Sequence, residues 1–188
     1  MLEPTACLLK DKVAIVTGGG GGIGKGISLA FAAYGAKVVV AERDPGRANE
    51  TVAEIQRLGG QAIASVVDVQ ERDQVEAMAE ATFSHFGQVD ILVNNVGDFL
   101  ELRKVFLDTT EEEWEALYRI NLKHVFLCVK AIAPRMIERG AGGSIINLSS
   151  VEAFRAFPGG VVYSAFKGGV TQFTKSLALE LAQFRIRV

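Results

Sequence analysis

The stretch Thr17–Gly24 reads T-G-G-G-G-G-I-G, and the rest of the chain is organised around it. It follows the apolar run Val13–Val16 and precedes a helix-like run from Lys25 to Tyr34. Because glycine lacks a Cβ, the backbone adopts positive φ there and a diphosphate comes close to the peptide N–H groups. The N-terminus of the following helix adds partial positive charge. The stretch therefore predicts a strand, a phosphate-binding turn and a helix.

Two glycine templates fit this run. The dinucleotide pattern G-x-G-x-x-G falls on Gly19, Gly21 and Gly24, and the spacing G-x-x-x-G-x-G falls on Gly18, Gly22 and Gly24. Five consecutive glycines satisfy such templates easily, so the run alone is weak support for nucleotide binding. A flexible linker is the alternative interpretation, and the strand and helix signals on either side disfavour it.

Length and composition exclude several classes of protein. The 188 residues suffice for one sizeable core but are too few for two ordinary domains, so we expect a single domain over residues 1–188. Hydrophobic residues make up 49% of the chain, which excludes a disordered protein. The net charge of −2, with acids and bases interspersed, provides no basic surface for nucleic acid.

The cysteines and the N-terminus indicate the compartment. Cys7 and Cys128 show no metal or redox spacing, so we interpret them as small apolar residues in a reducing compartment and expect no metal site. Met1–Lys12 lacks the basic start and the apolar stretch of a signal peptide. No run approaches the length of a membrane span. We therefore expect a soluble, cytoplasmic protein that binds neither membrane nor nucleic acid.

Short apolar, β-branched runs alternate with helical periodicity along the chain. After the first strand, strands are predicted at Lys37–Ala41, Ala62–Val67, Ile91–Val93 and Ser144–Leu148, and the ending Ile186–Val188 looks like the opening of another. Helices are predicted at Ala48–Leu58, Arg72–Phe86, Thr110–Arg139 and Tyr163 to about Phe184. This alternation predicts an α/β fold, a Rossmann-type doubly wound parallel sheet with helices on both faces.

In such a sheet, ligands bind at the carboxyl ends of the strands, where the strand order reverses. The predicted strands are followed by groups suited to ligand contact, at Gly18–Gly24, Glu42, Asp68, Asn94–Gly97 and Ser149–Ser150. This convergence predicts a nucleotide site without reference to any known family.

Glu42 ends the second strand 18 residues past Gly24, near the distance at which dinucleotide folds place an acid that accepts hydrogen bonds from the adenosine ribose. An ordinary solvated acid is the alternative. Arg43 follows directly, and an arginine there is able to hold the 2′-phosphate of NADP. We favour NAD with NADP as the runner-up, because the strand fixes the direction of Glu42 and its carboxylate repels a 2′-phosphate.

Tyr163 and Lys167, in Y-S-A-F-K, lie one helical turn apart. Tyrosine is a poor base with a pKa of about 10, but an adjacent ammonium group lowers that pKa and allows proton exchange with a substrate hydroxyl. Ser150, at a strand end, is placed to donate a hydrogen bond to the same substrate oxygen. From these residues alone, an exposed Tyr–Lys pair and a polar turn serine remain open alternatives.

Taken in order, the motifs resemble those of the short-chain dehydrogenase/reductase family, from about Asp11 to Val188. They are Thr17-Gly18-x-x-x-Gly22-x-Gly24, Asn94-Asn95-Val96-Gly97, Asn121, Ser150 and Tyr163-x-x-x-Lys167. The resemblance implies an NAD(P)-dependent oxidoreductase that interconverts a secondary alcohol and a ketone, with hydride moving to or from the nicotinamide. A non-catalytic dinucleotide-binding module, or an inactive fragment, is the alternative from a different class.

The resemblance also implies a role for each matching position. A diphosphate turn with one side chain packed on the cofactor is implied at Gly18, Gly22, Ile23 and Gly24. Adenine contacts are implied at Asp68 and Val69, ribose contacts at Asn95 and Gly97, and a brace across the sheet at Asn94. Catalytic roles are implied for Tyr163 as general acid/base, Lys167 on the nicotinamide ribose, Ser150 on the substrate oxygen and Asn121 holding a relay water.

The chain departs from the family pattern at several places, one of which is the run of five consecutive glycines. Val96 replaces the usual alanine, and Phe166 replaces a small residue, which narrows the site or faces a partner subunit. Family members continue beyond the last residue through a substrate-covering segment and a final strand, so we expect a C-terminally truncated fold. The helices 110–139 and 163–184 carry more apolar positions than one sheet face covers, and the family pairs through them, which predicts a homodimer or homotetramer.

Overall fold

The computed structural model describes residues 8–188 of the chain as one parallel sheet flanked by helices. Cys7 lies outside the described residues, as does most of the segment in which we looked for a signal peptide. The strands are β1 (Val13–Thr17), β2 (Lys37–Glu42), β3 (Gln61–Val66), β4 (Ile91–Asn94), β5 (Gly143–Asn147) and β6 (Ile186–Arg187). All neighbouring strands pair in parallel, in the order β3-β2-β1-β4-β5-β6. The order reverses between β1 and β4, which confirms the predicted doubly wound sheet.

Helices cover both faces of this sheet. They are α1 (Gly22–Ala33), α2 (Pro45–Arg57), α3 (Arg72–Phe86), α4 (Glu111–Tyr118), α5 (His124–Arg139) and α6 (Val161–Leu181). Side chains of α1 and α2 pack on one face with Val38 and Val40. Side chains of α3, α5 and α6 pack on the other face with Ile15 and Val39. The sheet is therefore the middle layer between two hydrophobic cores.

The central strands are buried on both faces, as their continuous apolar runs predict. All five residues of β1 are buried, and so are the four middle residues of β2. Burying a valine or isoleucine side chain contributes about 1.5–3 kcal/mol relative to leaving it exposed. The burial of β1 and β2 thus fixes the positions of their carboxyl ends.

Helix α2 begins at Pro45 rather than at Ala48, where the hydrophobic pattern placed its start. The carboxylate of Asp44 accepts hydrogen bonds from the N–H groups of Gly46 and Arg47, at 2.8 and 3.0 Å. Proline at the first helical position completes this start. Capping chemistry therefore extends the helix beyond its apolar stripe.

The single long helix predicted for Thr110–Arg139 is wrong in one respect. It is continuous, but five residues, Arg119–Lys123, adopt π-helical geometry between α4 and α5. The start follows the prediction, since Thr110 and Glu113 form a capping box. A π-helical turn inserts an extra residue into the helix and is frequent at functional sites. Here it contains Asn121.

Helix α6 begins at Val161 rather than at Tyr163, and ends at Leu181 in a short turn, Ala182–Phe184, of 3₁₀ geometry. Tyr163 and Lys167 therefore both lie within its first turns. Among the helices of residues 8–188, none is long and apolar enough to cross a membrane.

Candidate active site

The glycine turn after β1 shows which of the two templates is structural. Gly18 and Gly22 adopt φ of 62° and 49°, a region that side chains disfavour. A Cβ on Gly24 would lie 2.1 Å from the carbonyl oxygen of Gly18, so any larger residue would separate α1 from the turn. Gly19 and Gly21 do not have positive φ. The spacing G-x-x-x-G-x-G therefore describes this turn.

The N-terminus of α1 is open. Its N-cap is Gly21, which has no side chain to satisfy the first helical N–H groups. Space beside Gly22 is empty to beyond 4 Å, and the side chain of Ile23 is 69% exposed. Free N–H groups and the helix dipole together suit an anion at this point.

A cleft extends from this turn along the carboxyl ends of β2, β3 and β4. It is lined by Gly18, Glu42, Arg43, Asp68, Val69, Val96, Gly97 and neighbouring side chains. The structure thus brings the residues expected at the adenine end into one groove. Val69 is buried beneath it, and the carboxylate of Asp68 accepts a hydrogen bond from the N–H group of Gln70 at 2.9 Å.

Glu42 is held in place by its own loop. Its Oε1 atom accepts hydrogen bonds from the N–H groups of Arg43 and Asp44, at 3.0 and 3.2 Å. A Cβ on Gly20 would lie 2.7 Å from the Cγ atom of Glu42, so the carboxylate stem packs directly on the glycine turn. The direction of Glu42 is therefore fixed by both neighbours, whereas no such contact was evident from the sequence.

Thr17 and Asn95 join β1 to β4 at the reversal of strand order. The side-chain amide of Asn95 donates to the carbonyl oxygen of Thr17, and its backbone N–H donates to the Thr17 hydroxyl, both at 2.9 Å. Asn94 donates to the side chain of Asn147 at 2.8 Å, across β4 and β5. The threonine belonged to the sequence motif, but its part in positioning Asn95 emerges only from the structure.

Lys167 and Asn121 pack against the backbone of Gly97. A Cβ at that position would lie 2.7 Å from the Lys167 Nζ atom and 3.0 Å from the Asn121 Oδ1 atom. Asn121 is fully buried, and its amide donates to the carbonyl oxygens of Asp98 and Leu117 at 2.7 and 3.1 Å. The π-helical turn therefore places the Asn121 side chain between its own helix and the loop after β4.

Lys167 is almost completely buried, with 3% of the residue exposed. Its Nζ atom donates to the carbonyl oxygen of Leu148 at 3.1 Å. Burial disfavours the charged form and lowers the pKa of Lys167 to about 8. This ammonium group is thus held at the carboxyl end of β5.

Tyr163 is half-buried and lies near Ser150, Lys167 and Phe99. The expectation that its pKa is lowered by Lys167 is wrong for this structure: burial, the largest cause, raises the pKa of Tyr163, and the Ser150 hydroxyl only partly opposes it. The Lys167 Nζ atom lies 5.8 Å from the tyrosine ring centroid and donates to the backbone instead. Ser150 also caps a short turn, since its Oγ atom accepts from the N–H group of Glu152 at 3.2 Å.

Three large side chains that follow Ser150 in the chain have different surroundings. Glu152 is buried, at 7% exposure, whereas Phe154 is 71% and Phe157 39% exposed. Phe166 lies against the ring of Tyr118 in α4, with centroids 5.8 Å apart. Of the three side chains that follow Ser150, only Glu152 is therefore buried.

The sequence interpretation missed His124 and the loop after β4. His124, beside the π-helical turn, is fully buried, and neither ring nitrogen makes a hydrogen bond of normal geometry with residues 8–188. Burial, followed by the charge of Lys167, lowers its pKa to about 3, so the ring is neutral. Phe99 and Arg103 in the loop contact the site, although the segment Asp98–Asp108 has no periodicity; its position after a strand end was the available signal.

An open parallel sheet with a glycine turn at its point of reversal defines a Rossmann-type nucleotide-binding domain. Residues 12–188 match the family model described as short chain dehydrogenase. The chain therefore belongs to the short-chain dehydrogenase/reductase family of oxidoreductases.

Characterised relatives act on different molecules. A 3-oxoacyl-[acyl-carrier-protein] reductase of Synechocystis sp. is 42% identical over 184 residues, covering 96% of this chain and 72% of the relative. A galactitol 2-dehydrogenase of Agrobacterium fabrum is 39% identical over 182 residues, covering 96% and 68%. A structure of 7α-hydroxysteroid dehydrogenase, complexed with NADH and 7-oxoglycochenodeoxycholic acid, aligns with a TM-score of 0.95 at 36% identity, covering 100% of this chain and 72% of the other.

Proposed function

We propose that this chain is an NAD(P)-dependent oxidoreductase that interconverts a secondary alcohol and a ketone. The observation that carries the proposal is the placement of Lys167 and Asn121 behind Gly97, next to the glycine turn, with Tyr163 and Ser150 on the adjoining elements. Proton-transfer groups thus lie at the point where the fold binds a dinucleotide. The relatives named above, which reduce or oxidise carbonyl and hydroxyl groups, support this proposal.

The residues of the cleft fit a nicotinamide dinucleotide. Gly24 leaves no room for a Cβ, Gly18 adopts a positive φ, and the N-terminus of α1 is open for the diphosphate. Glu42 and Asp68 line the adenosine end, and Gly97 borders the groove next to Lys167. When bound, the nicotinamide ring supplies the carbon that gives or accepts the hydride.

In this proposal, residues of the chain itself transfer the proton. In alcohol oxidation, the Tyr163 oxygen takes the hydroxyl proton of the substrate, and in reduction it returns that proton to the ketone oxygen. Ser150 donates a hydrogen bond to the same oxygen. Asn121 holds a water that connects Lys167 to solvent. In the oxidised complex we expect the raised pKa of Tyr163 to fall, since positive charge beside a phenol favours the phenolate.

We favour NAD over NADP because of Glu42. Its carboxylate is fixed by two backbone N–H groups and by the glycine turn, so it does not swing away from the adenosine end. A fixed carboxylate accepts hydrogen bonds from ribose hydroxyls and repels a 2′-phosphate. Arg43 lines the same groove and favours NADP, so dissociation constants for both cofactors at one ionic strength decide the matter.

We also propose that the chain assembles as a homodimer or homotetramer through α4–α5 and α6, and acts in the cytoplasm. Of the 21 residues of α6, only Lys167, Val170 and Leu181 are buried, and Leu179 is 82% exposed. A symmetric dimer covers such a helix once on each subunit. Light scattering at micromolar concentration tests this assembly, and a monomer contradicts it.

The experiment that tests the function is a screen of secondary alcohols with NAD, followed by absorbance of the reduced nicotinamide. Each reactive alcohol is then repeated with Tyr163→Phe. We expect turnover by the wild-type protein and its loss in the variant. Nucleotide binding without turnover of any alcohol would favour the alternative from a different class, a non-catalytic dinucleotide-binding module or an inactive fragment.

A further inference from the structure

Glu152 is a buried carboxylate with two partners. Its side chain is 6% exposed; its Oε1 atom accepts from the Arg103 Nη2 atom at 2.8 Å, and its Oε2 atom accepts from the Ser164 hydroxyl at 3.2 Å. A Cβ on Gly160 would lie 2.5 Å from Oε2, so the glycine leaves the space that this carboxylate occupies. Burying a carboxylate is unfavourable unless it is paired, so the ion pair with Arg103 keeps Glu152 in this position.

Arg103 continues this contact toward the reacting tyrosine. Its guanidinium carbon lies 4.1 Å from the ring centroid of Phe99. The Phe99 ring in turn stacks on the ring of Tyr163, with centroids 3.8 Å apart and an interplanar angle of 28°. A continuous series of contacts therefore runs from Glu152 to Tyr163: an ion pair with Arg103, followed by two stacking contacts through Phe99.

The loop that carries Phe99 and Arg103 is held under strain. Leu100 and Glu101 adopt φ of 52° and 57°, a conformation that is uncommon for residues other than glycine. Strained segments persist only when their surroundings hold them. One end is held by Asp98, whose backbone bonds to Asn121, and the other end is held by the pairing of Arg103 with Glu152.

We propose that Glu152 is a positioning residue that, through Arg103, holds Phe99 against Tyr163 and makes Phe99–Arg103 a fixed wall of the substrate pocket. This inference rests on the proposed function. Phe99 covers one face of the Tyr163 ring, so a substrate reaches the tyrosine hydroxyl from the edge of the ring. The wall therefore selects narrow substrates over those with bulk beside the reacting carbon.

The chain contains a matched control for this arrangement. Arg135 lies 3.9 Å from the ring centroid of Phe83 and pairs with Glu80 at 2.9 Å. This second Glu–Arg–Phe cluster joins α3 to α5, and the side chain of Glu80 is 72% exposed. Glu80→Gln thus removes the same charge from the same kind of cluster, without touching the site.

The first test uses limited digestion with trypsin, which cleaves after Arg103 or Lys104 when the loop opens. Cleavage of a transiently open segment tracks the population of its open form. We expect cleavage at this loop to be about fivefold faster in Glu152→Gln than in wild type, and unchanged in Glu80→Gln. Arg103→Lys, which loses the flat guanidinium stack, should act in the same direction. Cleavage of Glu152→Gln at the wild-type rate, with a folded protein by circular dichroism, would overturn the proposal.

The second test is steady-state kinetics with the alcohol identified by screening. We expect Glu152→Gln and Arg103→Gln each to raise KM by about tenfold, with the dissociation constant of NAD unchanged. The KM of the double variant should be no higher than that of either single variant, because both substitutions remove the same contact between Glu152 and Arg103. Additive effects, or a KM within about twofold of wild type, would contradict the wall. Absence of turnover in wild type defeats the proposed function alone, since trypsin cleavage still tests the wall.

Discussion

At the glycine turn, backbone forms one end of the candidate site, whereas around Tyr163 buried side chains form the other end. Gly18, Gly22 and Gly24 contribute N–H groups, positive φ and the absence of a Cβ. Lys167 and Glu152 contribute charged groups, and these residues are 3% and 7% exposed. A backbone site depends on shape and is lost when an atom is added. A buried charged site depends on pairing and burial, so it responds to pH and to single charge changes. The two ends should therefore fail in different ways.

The largest effect is expected at the side-chain end, from Tyr163→Phe. This change removes the oxygen that carries the proton and keeps the ring that stacks on Phe99. General acid–base catalysis contributes about 10²–10⁴-fold, so kcat should fall by that factor. The dissociation constant of NAD, measured by calorimetry, should stay the same. Retention of most of the activity would refute the role of Tyr163.

The buried ammonium of Lys167 should make stability depend on pH. Its pKa is lowered from 10.5 to about 8, so below about pH 8 both the folded and the unfolded chain are protonated and the full penalty of burial applies. Between about 8 and 10.5 the unfolded chain holds the proton that the folded chain releases, so stability rises with pH.

The variant for comparison is Lys167→Met, because methionine has no group that titrates. We expect the wild type to gain about 3 kcal/mol relative to this variant from neutral to alkaline pH. Urea unfolding of both proteins across this range measures the difference, which also cancels the titration of other groups. A constant difference between the two proteins would show that Lys167 titrates normally.

Gly24→Ala tests the backbone end. The new Cβ would lie 2.1 Å from the carbonyl oxygen of Gly18, and the clash is with backbone, so the turn must move. We expect a loss of about 1–3 kcal/mol in the free energy of unfolding, together with weakened nucleotide binding.

The control for this variant is Gly26→Ala, two positions along the same helix and with nothing within 4 Å of a Cβ. In an exposed helical position alanine is favoured over glycine by about 0.5–1 kcal/mol, so this change should stabilise the protein and leave nucleotide binding intact. Equal effects of the two substitutions would mean that the close approach at Gly24 does not matter.

The smallest effect is expected at Glu42, whose side chain packs on the glycine turn. Glu42→Ala removes the carboxylate that faces the adenosine end and the repulsion of a 2′-phosphate. We expect the preference for NAD over NADP to narrow by about tenfold. The control is Glu50→Ala in the neighbouring helix α2, which also removes a carboxylate. Unchanged or wider preference in Glu42→Ala would assign cofactor choice to Arg43.

The sequence by itself determined the order of strands and helices along the chain, the position of the glycine turn and the set of candidate site residues. These features are local: apolar runs, helical periodicity and glycine spacing each act over a few neighbouring residues. The family motifs then placed Ser150, Tyr163, Lys167 and Asn121 on the right elements. Element ends were less accurate, since the capping by Asp44 and the π-helical turn at Asn121 left no mark on the apolar pattern.

Only the tertiary structure decided how the site residues act on one another. The ion pair of Arg103 with Glu152 and the stacking of Phe99 on Tyr163 join segments that are distant in the chain, and packing alone buries the His124 ring. The pKa of Tyr163 is raised rather than lowered, because burial is its largest cause and the Lys167 ammonium donates to the backbone of Leu148 instead. Burial and electrostatic effects sum over all neighbours in space, and those neighbours are set by the packing of helices on the sheet.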